Sequence, residues 1–255
     1  MTVRTKALVL RAMPIGDNDR LLTMLSEELG VITVSARGAS RSGSRMAAIA
    51  QPLMYGEYML FRGTTRYSLN GGDILVSFFD LALEPAHYEV AIRLLSYAED
   101  AGMVPESAAE VLALSLRMLR RMMPGKQRTV SPGLVAATYL FKMSQIAGLA
   151  PHVTSCVRCG TTAIDDIRFS QDAGGFLCEQ CSPEDPSAVR IPTGVAKAIL
   201  YTLCAPVETL FHFDLEPALT DTFAQLAESY MSYRWESRRR QGPSLYATGK
   251  QSELP

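Results

Sequence analysis

The sequence predicts an α+β, multidomain protein in which an N-terminal β domain precedes an all-α domain that carries a small cysteine ribbon. Strand patterns punctuated by glycine fill the first third of the chain, helical periodicity takes over after Glu84-Pro85, and four cysteines follow in two C-x2-C pairs. The predicted domains are residues 1–82 and 83–242, with the ribbon at 153–183 and a disordered tail at 243–255. With 255 residues, 47% of them hydrophobic, the chain can form more than one core.

Five strands are predicted in the N-terminal domain. They are Thr5–Ala12, Arg20–Ser26, Val31–Ala36, Pro52–Phe61 and Thr65–Phe79. In the third strand the apolar residues Ile32, Val34 and Ala36 alternate with polar ones, as expected for a strand with one buried face. No convincing helical period occurs in this part of the chain. Five short strands indicate a small barrel, although periodicity alone does not distinguish a barrel from a sandwich.

Four helices are predicted in the second domain, each from its apolar stripe or its start signal. The first has Tyr88, Ile92, Leu95 and Ala98 on one face; the second, Ser107 to Met123, has Leu112, Leu116, Leu119 and Met123; the last has Leu219, Phe223, Leu226, Tyr230 and Tyr233. Ser131-Pro132 is a helix start, and the third helix runs from there to Gln145. Lys142 is its only charged residue, so this helix is expected at the centre of the domain.

The most specific motif is the set Cys156, Cys159, Cys178 and Cys181, whose two C-x2-C pairs are separated by eighteen residues. This spacing is typical of one tetrahedral zinc site. Between the pairs, Ile167–Ser170 and Asp172–Leu177 are predicted to form two short strands around a glycine turn. Because four thiolates leave no open coordination position, the predicted Zn²⁺ is structural.

Other interpretations of these cysteines are two disulfides, a redox-active dithiol or unrelated thiols, and His152 is an alternative ligand. Arg11 interrupts the N-terminal apolar run before a signal-peptide core forms, which argues against a secreted disulfide framework. The fifth cysteine, Cys204, lies in an apolar stretch and is expected to be a small buried hydrophobe.

Charge is unevenly distributed although the formal net charge is only −1. No acidic residue occurs from Leu29 to Gly56, and Arg37, Arg41 and Arg45 lie there in a loop rich in glycine and serine. These arginines are free to reach a phosphate backbone, or they simply keep a flexible loop solvated. No apolar run approaches eighteen residues, so no membrane span is expected and the protein is predicted to be cytoplasmic.

Several segments, in order along nearly the whole chain, resemble the RecO family of bacterial recombination mediators. They are Ala7-Leu-Val-Leu-Arg, Asp19-Arg-Leu-Leu-Thr-Met-Leu-Ser, Leu29-Gly-Val-Ile-Thr-Val-Ser-Ala-Arg-Gly-Ala, Ser44-Arg-Met-Ala-Ala-Ile-Ala-Gln-Pro-Leu, and Cys-x2-Cys-Gly followed by Gly-Gly-Phe-Leu-Cys-x2-Cys. The chain departs from the family pattern at Gly16-Asp17, where Gly-Glu is familiar, and after the last helix.

The resemblance implies an N-terminal OB-fold and a non-enzymatic protein of the nucleoid that binds single- and double-stranded DNA and anneals complementary strands. With RecR it would help load RecA onto DNA coated by single-strand-binding protein. The implied DNA-binding face comprises Arg4, Lys6, Arg11, Arg37, Arg41, Arg45, Arg62 and Arg66. Tyr55, Tyr58, Phe61 and Tyr67 are candidate stacking platforms or, for at least half of them, barrel core.

The tail of the single-strand-binding protein is acidic with an apolar end, so its receptor should pair cations with a hydrophobic notch. The candidate site is Leu116, Arg117, Arg120, Arg121, Met123 and Lys126. Two other classes remain open. The first is a zinc-ribbon transcription or translation factor, which would contact nucleic acid through the ribbon; acidic residues flank this ribbon and disfavour such contact. The second is a nuclease-type enzyme with a structural zinc. It has little support, because the three histidines are scattered and the chain has no P-loop.

Overall fold

A computed structural model of the chain describes residues 1–41, 43–124, 130–163 and 165–241. They form a five-stranded barrel, a body of helices and a small cysteine-bearing sheet. Lys126 of the predicted partner site and the predicted tail at 243–255 lie outside the described residues. Within the described segments, no helix combines the length and the apolar character needed to cross a membrane.

The barrel confirms the five predicted strands. They are β1 Thr2–Ile15, β2 Asp19–Ser26, β3 Gly30–Ala36, β4 Met54–Arg62 and β5 Tyr67–Ser77. The strand order is β1-β2-β3-β5-β4, closed by antiparallel pairing of β4 with β1, while β3 and β5 pair in parallel. A closed five-stranded barrel with this order is an OB-fold, so the sandwich alternative is wrong.

Alternate residues of the strands fill the barrel. Ile32, Val34 and Ala36 are buried as the period-two pattern predicts. A short helix, α1 (Arg45–Ile49), follows β3, and the Ser44 hydroxyl caps it by accepting from the Ala47 amide at 3.0 Å. The sequence did not predict this helix, because five residues are too few to show a helical period.

The helical body comprises α2 Pro85–Ala101, α3 Pro105–Met122, α4 Pro132–Ile146, α5 Thr193–Cys204 and α6 Pro217–Gln241. Residues 134–144 of α4 are all buried, which confirms its central position. The ammonium of Lys142 donates to the carbonyl oxygens of Leu203 at 3.1 Å and Ala205 at 2.9 Å, at the end of α5. Burial lowers the pKa of Lys142. The sequence did not predict α5, which is too uniformly apolar to show a clear stripe.

Four predicted burials are wrong. In α2 the face toward the core carries Ala91, Leu94, Leu95, Ala98 and Ala101, whereas Tyr88 and Ile92 are exposed. Alanines allow close helix packing on this face; Leu95 and Ala98 of the predicted stripe are buried there, and only Tyr88 and Ile92 point outward. Tyr233 of α6 is exposed, and so is Cys204, which ends α5 instead of lying within the core.

The barrel packs directly on α2 and α3. Leu8, Leu10 and Leu25 point out of the barrel and join the helical core. The Val31 amide donates to the Gly102 carbonyl at 2.9 Å. Gly30 has a φ of +71°, and a Cβ there would lie 2.8 Å from the Gly102 oxygen, so only glycine fits this junction.

Candidate metal centre and nucleic-acid interface

The cysteine ribbon is built from three short strands. In it, β6 (Arg168–Ser170) pairs with β7 (Gly175–Leu177) around a glycine turn, as predicted, and also with β8 (Val189–Arg190). A bridge from His152 to Gly175 holds the ribbon to the segment before it. The His152 ring contacts the Ser155 hydroxyl at 2.7 Å and is not part of the cysteine cluster, so the alternative ligand is not brought into place.

The structure brings all four predicted sulfur atoms together. Those of Cys156, Cys159, Cys178 and Cys181 lie within 4.8 Å of one another, and Cys159 and Cys178 are 3.8 Å apart. Four sulfurs bound tetrahedrally to Zn²⁺ at about 2.3 Å would be separated by about 3.8 Å, so the cluster fits such an ion. All four cysteines are free thiols, which disfavours the disulfide interpretation.

The electrostatics of the cluster also suit a metal. Burial raises the pKa of the Cys156 thiol, but hydrogen bonds from the backbone amides of Cys159, Cys178 and Arg158 outweigh it and lower this pKa to about 6. Side-chain hydrogen bonding to Cys178, with further contributions from burial and the other two sulfurs, raises the pKa of Cys181 to about 12. The sulfurs therefore compete for protons, and a divalent cation, which binds thiolates, would relieve that competition.

The ribbon shares the core of the helical body. Phe169 of β6 lies 5.3 Å from the Tyr230 ring of α6 and 6.4 Å from the Phe141 ring of α4, measured between ring centroids. Phe176 of β7 lies edge-on to Phe169 at 6.3 Å. The Tyr230 hydroxyl donates to the Leu149 carbonyl at 2.7 Å. Phe169 and Phe176 thus belong to the main hydrophobic core, whereas Cys156, Leu177 and Cys178 form a separate small cluster.

The barrel presents exposed cations on the loop between β3 and α1. Arg37 and Arg41 are both exposed there. The loop is held in place because the Asp19 carboxylate accepts from the Gly38 amide at 2.9 Å. Arg45, at the start of α1, instead pairs with Asp73 of β5 at 2.7 Å.

The eight implied DNA-binding cations lie on several strands and loops of the barrel. Arg62 and Arg66 line a cavity of about 300 Å³ beside the β4–β5 loop. Arg4 and Lys6 are exposed on the outer side of β1. Arg11 points toward α2 and pairs with Glu99. Arg11 is thus engaged by the helical body, and the placement of the other cations on one DNA-binding face stays a prediction.

The four aromatic residues that are candidate stacking platforms differ in their exposure. Tyr58 is buried in the barrel, and its hydroxyl donates to the Ile49 carbonyl at 3.1 Å. Tyr55 packs toward the helical core and Tyr67 toward the barrel core. Phe61 is exposed on β4, one residue before Arg62. Of the four predicted platforms, only Phe61 offers an exposed ring.

The candidate partner site partly assembles at the end of α3. Arg117, Arg120 and Arg121 line a cavity of about 470 Å³ together with the segment that joins α5 to α6. That segment contributes Glu208, Phe211, His212, Phe213 and Asp214, which no sequence pattern marked. Leu116 is buried and Met123 half-buried, and both pack in the core instead of lining the cavity. The missed residues follow an unpredicted helix, so no sequence signal placed them near α3.

The chain combines an OB barrel with a helical body that carries a four-cysteine ribbon, and the family comparisons place it in the DNA recombination and repair class. The family model described as Recombination protein O N terminal matches residues 1–78, and Recombination protein O C terminal matches residues 90–242. The chain therefore belongs to the RecO family.

Curated relatives support this assignment along most of the chain. The DNA repair protein RecO of Acetivibrio thermocellus is 31% identical over 92% of this chain and 92% of its own length. The proteins of the same name from Alkaliphilus metalliredigens and Exiguobacterium sibiricum are each 28% identical, over 91% of this chain and 93% and 91% of their own lengths.

Proposed function

We propose that this protein is a non-enzymatic mediator of homologous recombination and DNA repair. It binds single- and double-stranded DNA, anneals complementary strands and, with RecR, promotes the loading of RecA onto single strands coated by single-strand-binding protein. The observation that carries this proposal is the exposed pair Arg37 and Arg41 on the OB barrel of a RecO-family chain. The function assigns the protein to the cytoplasm, in association with the nucleoid.

The four cysteines are proposed to hold one structural Zn²⁺. Four thiolates complete a tetrahedral shell, so the ion supplies folding free energy and no Lewis-acid position for a substrate. The chain's own contribution is the pair of backbone turns that aim the sulfurs, and the aromatic contacts that tie β6 and β7 to α4 and α6.

The contacts of the ribbon argue against its use as a nucleic-acid reader. Arg168 and Arg190 both pair with the Asp166 carboxylate, and Arg158 pairs with Glu184 at 2.8 Å. These cations are largely neutralised within the ribbon. Among the described residues, the four cysteines form the one group of three or more potential metal ligands, and four thiolates would leave a bound ion no open position for a substrate.

A strand-annealing assay tests the proposed function. The protein is expected to accelerate annealing of two complementary fluorescent strands without a nucleotide cofactor, and the acceleration should diminish as salt rises because phosphate contacts dominate. With RecR present, it is also expected to shorten the lag before RecA filaments form on coated single strands. Failure to bind or anneal DNA would contradict the proposal, and nucleolytic cleavage of the strands would favour an enzyme.

We further propose that the cavity at the end of α3 receives the acidic, apolar-ended tail of the single-strand-binding protein. Arg117 and Arg120 would face the tail's carboxylates, while the rings of Phe211 and Phe213 would contact its apolar end. Glu208 and Asp214 also line this cavity and would repel an acidic peptide. The peptide should therefore enter from the side of the cavity that α3 forms, where the arginines lie.

Reversing the charge of Arg120 tests this site. Arg120→Glu is expected to weaken binding of a tail peptide at least about tenfold, since it replaces an attraction by a repulsion. Fluorescence anisotropy of the labelled peptide measures the change. Lys197→Glu is the matched control, because Lys197 is an exposed cation of α5 that does not line the cavity. If Arg120→Glu and wild type bind the tail peptide with equal affinity, the tail does not bind in this cavity.

A further inference from the structure

A groove between the barrel and the start of α2 has no role in the function proposed above. It encloses about 360 Å³, within the range of about 300–1,000 Å³ that is common for small-ligand sites. Its lining brings together barrel residues, the link from α1 to β4, and the 3-10 turn Phe79–Leu83 that leads into α2. No part of the sequence pattern predicted this junction.

Two aromatic rings lie at the groove. Phe79 is 55% exposed and Tyr88 38% exposed, and neither is stacked on another aromatic ring of the described chain. Large rings left open to water in a concave site are suited to stacking against a flat ligand. The sequence pattern predicted that Tyr88 would be buried. Its ring is exposed instead, and is therefore available to a ligand in this groove.

The polar side chains that line the groove can both donate and accept hydrogen bonds, which suits a nucleobase better than a purely acidic ligand. Gln51 offers an amide that both donates and accepts, and Ser40 offers a hydroxyl. Arg20 is the one charged residue that lines the groove, and no ion pair joins it to the described residues. A base edge carries both donors and acceptors, so an amide, a hydroxyl and a guanidinium can pair with it.

The groove adjoins the exposed cations of the barrel. Ser40 stands between Arg37 and Arg41 in the chain, and its amide donates to the Asn18 carbonyl at 2.9 Å, which fixes the loop beside the β1–β2 turn. A strand whose phosphates contact these arginines would pass the mouth of the groove. The floor is Leu53, which is buried and has a φ of +67°, an uncommon conformation for a residue other than glycine.

The backbone around Leu53 keeps that conformation in place. Its amide donates to the Val9 carbonyl at 2.9 Å, and its carbonyl accepts from the Phe78 amide at 3.1 Å, which positions the ring of the next residue, Phe79. Strained backbone held by its surroundings is often found at binding sites. Here it connects the barrel wall to the aromatic side of the groove.

We propose that this groove binds an unpaired nucleobase of the single strand whose phosphates lie on Arg37 and Arg41, with the base stacked on Phe79 and Tyr88. The inference rests on the proposed DNA binding and adds a basis for distinguishing single strands from duplex. A base paired inside a duplex is not available to the groove, whereas phosphates are available in both forms.

Comparison of an oligothymidine with an abasic deoxyribose-phosphate strand of equal length tests the groove, because both carry the same charge. Wild type is expected to bind the oligothymidine about fivefold more tightly, the lower end of what stacking on one base contributes. The double variant Phe79→Ala/Tyr88→Ala should lose this preference and retain its affinity for the abasic strand. Titrations by fluorescence anisotropy give both dissociation constants.

Leu83→Ala is the matched control, since Leu83 is 73% exposed on the same 3-10 turn but does not line the groove. The single variant Phe79→Ala replaces the double variant if the latter does not fold. Full base preference in the folded variant, or an equal loss of preference in Leu83→Ala, would overturn the proposed groove. Equal wild-type affinity for both strands would also overturn it while leaving phosphate-driven binding intact, and no binding to either strand would overturn the proposed function as well.

Discussion

Replacing Cys178 with serine is expected to abolish stoichiometric zinc binding and to lower the free energy of unfolding by about 4 kcal/mol or more. Cys178 is buried within the cluster, and a site that loses one of four thiolates binds zinc far more weakly. The strands β6 and β7 have only three residues each, so we expect them to need the proposed ion for their order. Their displacement would also remove Phe169 from its contacts with Phe141 and Tyr230.

Metal content by atomic absorption and thermal unfolding by circular dichroism measure this effect. Cys204→Ser is the matched control, because Cys204 is an exposed cysteine outside the cluster, and it should retain one equivalent of zinc and wild-type stability. Treatment of wild type with a strong chelator should reproduce the Cys178→Ser result. Wild-type stability in the zinc-free protein would show that the ribbon folds without a metal.

The double variant Arg37→Ala/Arg41→Ala is expected to bind single-stranded DNA with a markedly shallower salt dependence. The slope of log K against log salt should decrease by about 0.7 for each phosphate that the protein no longer neutralises, hence by about 1.4 for two phosphates. The two arginines are exposed on a loop held by Asp19, so their removal should leave the barrel intact. Binding titrations across a salt series give the slopes directly.

A control of equal net charge is Arg11→Ala/Arg93→Ala. Arg11 pairs with Glu99, and Arg93 pairs with Glu228, so both are engaged by acids of the helical body. This variant is expected to keep most of the wild-type slope. Equal reductions of the slope in the two variants would indicate a general effect of net charge. An unchanged slope in both variants would indicate that the phosphates contact other cations, such as Arg117 and Arg120.

The local patterns of the sequence were sufficient for most of the fold. Alternation in Val31–Ala36 predicted a strand with one buried face, and the cysteine spacing predicted both the ribbon and its two strands. Absence of charge around Lys142 predicted the central helix. Patterns failed where an element was too short or too uniform to show a period, as in α1 and α5.

The candidate sites depended more on contacts between distant segments. The stripe of α2 was right for Leu95 and Ala98 and wrong for Tyr88 and Ile92, because the helix buries the face with Ala91 and Ala101, which the pattern of large side chains does not mark. Arg11 resembled the other barrel cations until the structure placed Glu99 beside it. Likewise, Phe211 and Phe213 join the arginines of α3 only through the path of the chain after α5.

By itself the sequence determined the strands of the barrel, the four-cysteine set and the family resemblance, since each is encoded in residues close together or at fixed spacing. Only the tertiary structure decided which cations remain exposed, which aromatic rings are free, and that a groove with Phe79 and Tyr88 opens beside Arg37. The physical reason is that burial and pairing are properties of surfaces brought together by folding, and local periodicity carries no record of which surfaces will meet.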